Sequence, residues 1–168
     1  MRTLRDEVMQ ELHENEQYFF DQPTLMELER RLSGFDSICC LCAPTLAGHL
    51  AAAGMNVTNL DIDRRFEGTP GFRYFDLLEP QWLGENFDVI FCDPPFFNVS
   101  FRKLHTAIRT LAKNDFDTRV WLTYLDRRSV KLMDAFSDFK LQPTEYFPQY
   151  QTVEDCDKNR IRLFCNDG

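Results

Sequence analysis

Residues 87–92, Phe-Asp-Val-Ile-Phe-Cys, form an apolar run that stops at Asp93-Pro94-Pro95-Phe96. A short apolar run bounded by breakers reads as a buried strand. Proline has no N–H for a ladder and biases the residue before it toward extended backbone, so the strand must end at Asp93. The chain therefore holds a carboxylate at a strand tip, on a stiff Pro-Pro with an aromatic ring beside it. In an open α/β sheet, ligands bind at the carboxyl ends of the strands, which makes this stretch the candidate active site.

The flanking sequence repeats the same alternation. Residues 37–42 read as a first strand, Ala43-Pro44-Thr45 as a turn, and 46–53 as a helix closed by Gly54. Residues 57–62 give a second strand, and 72–75 a short third after the Gly68-Thr69-Pro70-Gly71 loop. Leu104, Ile108 and Leu111 have helical spacing over 102–111, residues 119–125 give a fifth strand, and 129–136 a helix. Upstream, Asp21 or Thr24 can cap a helix carrying Leu25, Leu28 and Leu32, with Gly34 as its stop. In the tail, 139–141, 145–150 and 160–165 read as short strands with no helix between the last two, hence an antiparallel hairpin. The pattern argues an α/β fold: a doubly wound, mostly parallel sheet with a C-terminal antiparallel hairpin.

A chain of 168 residues has room for one such domain. Residues 1–16 are charged and helix-prone, with a weak stripe of Leu4, Val8, Met9 and Leu12, and read as an N-terminal helical arm; residues 17–168 read as the domain. Of six cysteines, four lie in strand-like apolar runs and are expected as free thiols. Cys39-Cys40-x-Cys42 lacks the spacing and histidines of a zinc site, so no metal is expected. His13, His49 and His105 show no convincing partner in the sequence. With neither an apolar leader nor a run of membrane length, the expected location is the cytoplasm or the nucleus, without a membrane partner.

The net charge of −8 gives no general attraction to phosphate backbones and favours a basic protein partner. Arg64-Arg65 and Arg127-Arg128 are only doublets, although Arg102, Lys103 and Arg109 stand just after the motif, where a nucleic-acid path would run.

Acids stand at successive strand tips: Asp61 with Asp63, then Asp76, then Asp93. An acid after the second strand, about twenty residues past the first turn, is placed to bond ribose hydroxyls. Asp61 fits, with Asp63 its close competitor; Asp76 is placed to accept from an adenine amino group.

Asp93-Pro94-Pro95-Phe96 matches the (Asp/Asn)-Pro-Pro-(Tyr/Phe) motif of amino-directed methyltransferases that use S-adenosylmethionine. More closely, the chain resembles the adenine-methyltransferase-like family that includes the lysine methyltransferases of translation elongation factor 1-alpha and a zinc-finger-bearing ribosomal RNA adenine methyltransferase. The resemblance runs in order through Gln17-Tyr18-Phe19-Phe20, Cys42-Ala43-Pro44-Thr45, residues 61–67, Phe75-Asp76, residues 87–96 and residues 160–164. It implies a class I methyltransferase fold, Rossmann-like with seven strands, and S-adenosylmethionine as cofactor. Cys42, Ala43, Pro44, Asp61, Asp63 and Asp76 would line the cofactor. Asp93 and the Pro94 carbonyl would accept from the target amino group, with Pro95 stiffening the turn and Phe96 packing on a base or a lysine stem.

Tyr18 and Phe19 would form an aromatic lid, and Phe97 and Asn98 would border the substrate. One departure is plain: Ala43-Pro44-Thr45 replaces the usual glycine-rich cofactor turn. The implied activity is methyl transfer to an amino nitrogen, first of a protein lysine of the translation-factor type. Adenine in RNA or DNA is the alternative, and a non-catalytic subunit of the same fold is the second.

Overall fold

β1 (Ile38–Leu41) and β4 (Val89–Cys92) lie side by side at the centre of a seven-stranded sheet, and the chain winds outward from them in both directions. A computed structural model describes residues 10–167. On one side of β1 come β2 (Val57–Asp61) and β3 (Phe72–Tyr74); on the other side of β4 comes β5 (Arg119–Leu125), all parallel. β7 (Ile161–Cys165) and β6 (Gln142–Pro143) close that edge antiparallel, giving the order β3-β2-β1-β4-β5-β7-β6. All four residues of β1 and of β4 are buried, as a sheet covered on both faces requires. The order reverses between β1 and β4, so the fold opens its crevice at their carboxyl ends.

Local chemistry fixes the covering helices. In α1 (Gln22–Leu32), Asp21 accepts the Thr24 N–H at 3.0 Å as N-cap, and Leu25, Leu28 and Leu32 are buried. α2 (Pro44–Ala52) starts with Pro44, whose missing N–H costs nothing at a first helical position, and buries Leu46, Ala47 and Leu50. Ser100 caps α3 (Phe101–Leu111), which buries Leu104, Ala107, Ile108 and Leu111; α4 (Ser129–Ala135) packs beside it. Gly71 has φ of 78°, and a Cβ there would lie 2.0 Å from the Val57 carbonyl oxygen, so only glycine lets β3 start beside β2.

The antiparallel edge is present, but its pieces differ from the sequence reading. Residues 139–141 form no strand, and the partner of β7 is Gln142–Pro143, not 145–150. Pro143 and Pro148 remove ladder donors, and beyond one bond from Leu163 N–H to the Tyr146 carbonyl (2.9 Å) the segment leaves the sheet. Tyr150 instead forms an isolated bridge with Phe20. The expected arm falls mostly on residues 1–9, which lie outside the described residues. Residues 10–16 form no α-helix but a single 3-10 turn, His13–Asn15. All six cysteines are free. The histidines do have partners: Glu11 for His13, Glu29 for His49 and Asp138 for His105. No helix among the described residues is long and apolar enough to cross a membrane.

Candidate active site

The ladders run one step past the strand tips. Asp93 N–H donates to the Leu41 carbonyl (3.1 Å), Cys42 N–H to Leu60 (3.0 Å) and Phe75 N–H to Asp61 (3.1 Å). Cys42, Asp61 and Asp93 are thereby locked in register around the β1/β4 crevice. Cys42 takes φ of 58°, the left-handed conformation that glycine adopts without penalty. A cysteine thus does the turning where glycine was expected.

Oδ1 of Asp93 accepts two hydroxyls, Thr123 Oγ1 at 2.6 Å and Tyr150 Oη at 2.7 Å. Among the described residues no donor reaches Oδ2, and none reaches the neighbouring Pro94 carbonyl. Burial pushes the carboxyl up to about 7, against the two hydroxyls, which favour the charged form. Downstream, the Phe96 carbonyl accepts Tyr124 Oη (3.1 Å), and the Phe96 ring meets Tyr124 edge-on at 5.2 Å. Phe97 and Asn98 N–H both donate to the Glu16 carboxylate, each at 3.0 Å.

The two acids after β2 divide their labour. Asp61 is buried and accepts the Asp63 N–H on Oδ1 (2.8 Å). Burial, then the neighbouring Asp63 charge, pushes it up to about 6. Asp63 is committed elsewhere: it accepts from Arg65 Nη2 (2.8 Å), Gln17 Nε2 (2.9 Å) and the Arg65 N–H. Burial opposes its charge, but these bonds hold it below the usual carboxylate range. Among the described residues the Asp76 carboxylate accepts only the Leu78 N–H, on Oδ1 at 2.9 Å.

Two cavities adjoin at Tyr18, and Asp93 lines the first of them. The first, about 210 Å³, is lined by Cys42, Pro44, Asp61, Asp63, Asp76 and Asp93, with Pro95 and Asn98 at its edge. The second, about 510 Å³, is lined by Tyr18, Phe96, Phe97, Tyr150, Arg127 and Lys158. Tyr18 belongs to both walls. Ala43 is buried beneath the turn and Pro94 beneath the motif; neither lines a cavity. Phe19 does not form part of a lid: it is buried, edge-on to Phe66 at 6.1 Å. Its neighbour Tyr18 is half-buried and lines the cavities instead.

Thr123, Tyr150, Glu16 and Gln17 complete the site without having been singled out. Thr123 carried a signal, being the one small polar residue inside the apolar strand Arg-Val-Trp-Leu-Thr-Tyr-Leu. Tyr150 carried none. Glu11 adds a last tie, accepting Phe19 N–H and Thr152 Oγ1, so residues 11–17 strap the β2 tip, the motif loop and the C-terminal loop together.

Solved structures of similar fold are methyltransferases. Magnesium protoporphyrin IX methyltransferase (ChlM) from Synechocystis PCC 6803, solved with bound SAM, superposes with a TM-score of 0.59 at 17% identity, over 86% of this chain and 78% of that one. Ribosomal protein L11 methylase from Lactobacillus delbrueckii subsp. bulgaricus gives 0.55 at 14% identity, over 95% and 81%. N-methyltransferase NodS from Bradyrhizobium japonicum WM9 gives 0.53 at 15%, over 88% and 99%. At such identities the likeness establishes the fold, a class I methyltransferase sheet. No curated protein sequence matches. The family profile described as probable N6-adenine methyltransferase matches residues 11–166, from the strap to the end of β7, and the chain belongs to that family.

Proposed function

We propose that this chain is an S-adenosylmethionine-dependent N-methyltransferase whose acceptor is the amino group of adenine in a nucleic acid. One observation carries the reading: Asp93 lines the smaller cavity, and its Oδ2 and the neighbouring Pro94 carbonyl are adjacent acceptors without a donor among the described residues. Unpaired acceptors at such a place suit a ligand N–H.

The smaller cavity fits the cofactor. Asp61 would bond the ribose hydroxyls, Asp76 the adenine amino group, and the Cys42 turn would face the methionine part. Asp63, spent on Arg65 and Gln17, holds the strap and not the ribose. When bound, S-adenosylmethionine supplies an electrophilic methyl on sulfur. Asp93 and the Pro94 carbonyl orient the acceptor nitrogen's lone pair toward that methyl and favour the positive charge that develops on nitrogen. Asp93, whose carboxyl burial raises to about 7, would take up the proton that the methylated nitrogen sheds.

The larger cavity supports a base over a lysine. Its walls are aromatic, its volume lies within the roughly 300–1,000 Å³ of sites that enclose planar ligands, and Arg127 and Lys158 outnumber Glu154 in its lining. Those cations favour phosphate and oppose an ammonium. The lysine reading rests on the net charge of −8, which a folded chain need not express at its site. Incubation with labelled S-adenosylmethionine and cell extract, split between nuclease and protease, tests the choice. The label should vanish with nuclease and be recovered as N6-methyladenosine. Label that survives nuclease and is lost with protease would establish the lysine reading instead.

A further inference from the structure

Two hydroxyls converge on one oxygen of a single carboxylate, and they come from unrelated parts of the chain. Thr123 is fully buried in β5, next to β4, and its hydroxyl lies 2.6 Å from Asp93 Oδ1. It also stands 3.4 Å from the Cys92 carbonyl, but its single proton serves the shorter contact. Tyr150 reaches the same oxygen at 2.7 Å from the loop after β6, and its ring is held by Phe20 at 4.9 Å.

We propose that Thr123 and Tyr150 are the positioning residues of the transfer site, fixing Oδ1 so that Oδ2 of Asp93 is presented to the acceptor. The inference rests on the proposed methyl transfer but adds to it. A lone carboxylate on a strand tip can rotate about its terminal torsion, which is broad and roughly two-fold. Two donors on one oxygen restrict that freedom and leave the other oxygen without a donor among the described residues, on a side chain that lines the smaller cavity. Cys42, Asp61, Asp76, Glu16 and Tyr18 share that cavity, and Cys92 precedes Asp93 in the chain, yet none of them bonds the carboxylate. Tyr150 also walls the acceptor cavity, so it ties the seat of the acceptor to the aim of Asp93.

The full chain with Tyr150→Phe, Thr123→Val and Thr123→Ser tests this by two readouts. The first is labelled methyl transfer from S-adenosylmethionine to total cellular RNA and, separately, to total soluble protein. Tyr150→Phe and Thr123→Val should each lower kcat about 10-fold with KM for S-adenosylmethionine within about twofold, and Thr123→Ser should stay near wild type. The second is a carbon NMR titration of labelled aspartate carboxyls, in which the Asp93 signal is the one that Asp93→Asn removes. Its midpoint should rise in Tyr150→Phe and Thr123→Val, which lose donors to the charged form, and hold in Thr123→Ser.

A midpoint that stays in both donor-deleted variants overturns the proposal, as does a kcat within twofold of wild type. If wild type methylates neither acceptor, the functional reading fails separately, and the titration alone decides whether the two hydroxyls govern Asp93.

Discussion

The two cavities that share Tyr18 are built by different means. The smaller is built on strand tips: Cys42, Asp61 and Asp93 stand on ladder bonds that run on from β1, β2 and β4, and Asp76 follows β3, with the strap along one side. The larger is made of connections: Tyr18 from the N-terminal strap, Phe96 and Phe97 from the motif loop, Tyr150 and Lys158 from the long segment between β6 and β7. A sheet dictates where its tips lie, so the first cavity is common to any chain that winds this way. The second depends on what each family hangs over the sheet. ChlM and L11 methylase share the sheet and, by name, act on different molecules. On the proposed assignment, the cofactor half would follow from the fold and the acceptor half from this chain.

The largest effect falls at Asp93, in the wall of the smaller cavity. Asp93→Ala should lower turnover by about 10²–10³-fold, the cost of losing an oriented acceptor, while calorimetry finds S-adenosylmethionine affinity within a few-fold of wild type. If affinity falls as far as turnover, the two cavities are not separable. Asp61→Ala should do the reverse. Loss of a charged hydrogen bond to the ribose would weaken cofactor binding by about 10–100-fold, with much less effect on kcat at saturation.

A smaller effect links the site to stability. Burial raises Asp93 to about 7 and Asp61 to about 6, both above an ordinary aspartate. Between about pH 4 and 7 the folded chain therefore binds more protons at these two positions than the unfolded chain does. Their contribution favours the folded state in acid and is lost as pH rises through that window. The denaturation midpoint should fall across it, and Asp93→Asn should flatten the fall and stabilise the protein at pH 8 by roughly 1–2 kcal/mol. A midpoint that climbs over the same range would mean that other carboxylates, such as the Arg65-paired Asp63, dominate.

The smallest effect concerns the turn that lacks glycine. Cys42→Gly relieves a left-handed backbone worth about 1–2 kcal/mol but adds chain entropy of roughly 0.5–1 kcal/mol and loses side-chain contact, so thermal unfolding should shift by under about 2 °C. Cys42→Val, which branches where φ is 58°, should destabilise clearly.

What the sequence made legible follows the same division. The Asp-Pro-Pro-Phe stop and the acids at the tips of β2, β3 and β4 are local patterns with local causes, and the structure gathers Asp61, Asp76 and Asp93 around one cavity. Thr123 was half legible, a hydroxyl in an apolar strand whose alternation gives it the same face as Asp93. Tyr150 was not legible, because nothing near it in sequence states that residues 145–150 leave the sheet and turn back to Phe20. Phe19 and Tyr18 show the limit from the other side. Two adjacent aromatics look alike in composition, and only the facing of the backbone sends Phe19 into the core and Tyr18 to the wall.

The bond between Glu11 and Thr152 spans 141 positions of the chain, and the Phe20–Tyr150 bridge is nearly as long. Contacts this distant in sequence carry the largest closure entropy and form late in folding. During synthesis the tips of β1, β2 and β4 emerge well before Tyr150 does. A nascent chain would hold its carboxylates before the hydroxyl that aims one of them existed, and would gain its chemistry only when its two ends had met.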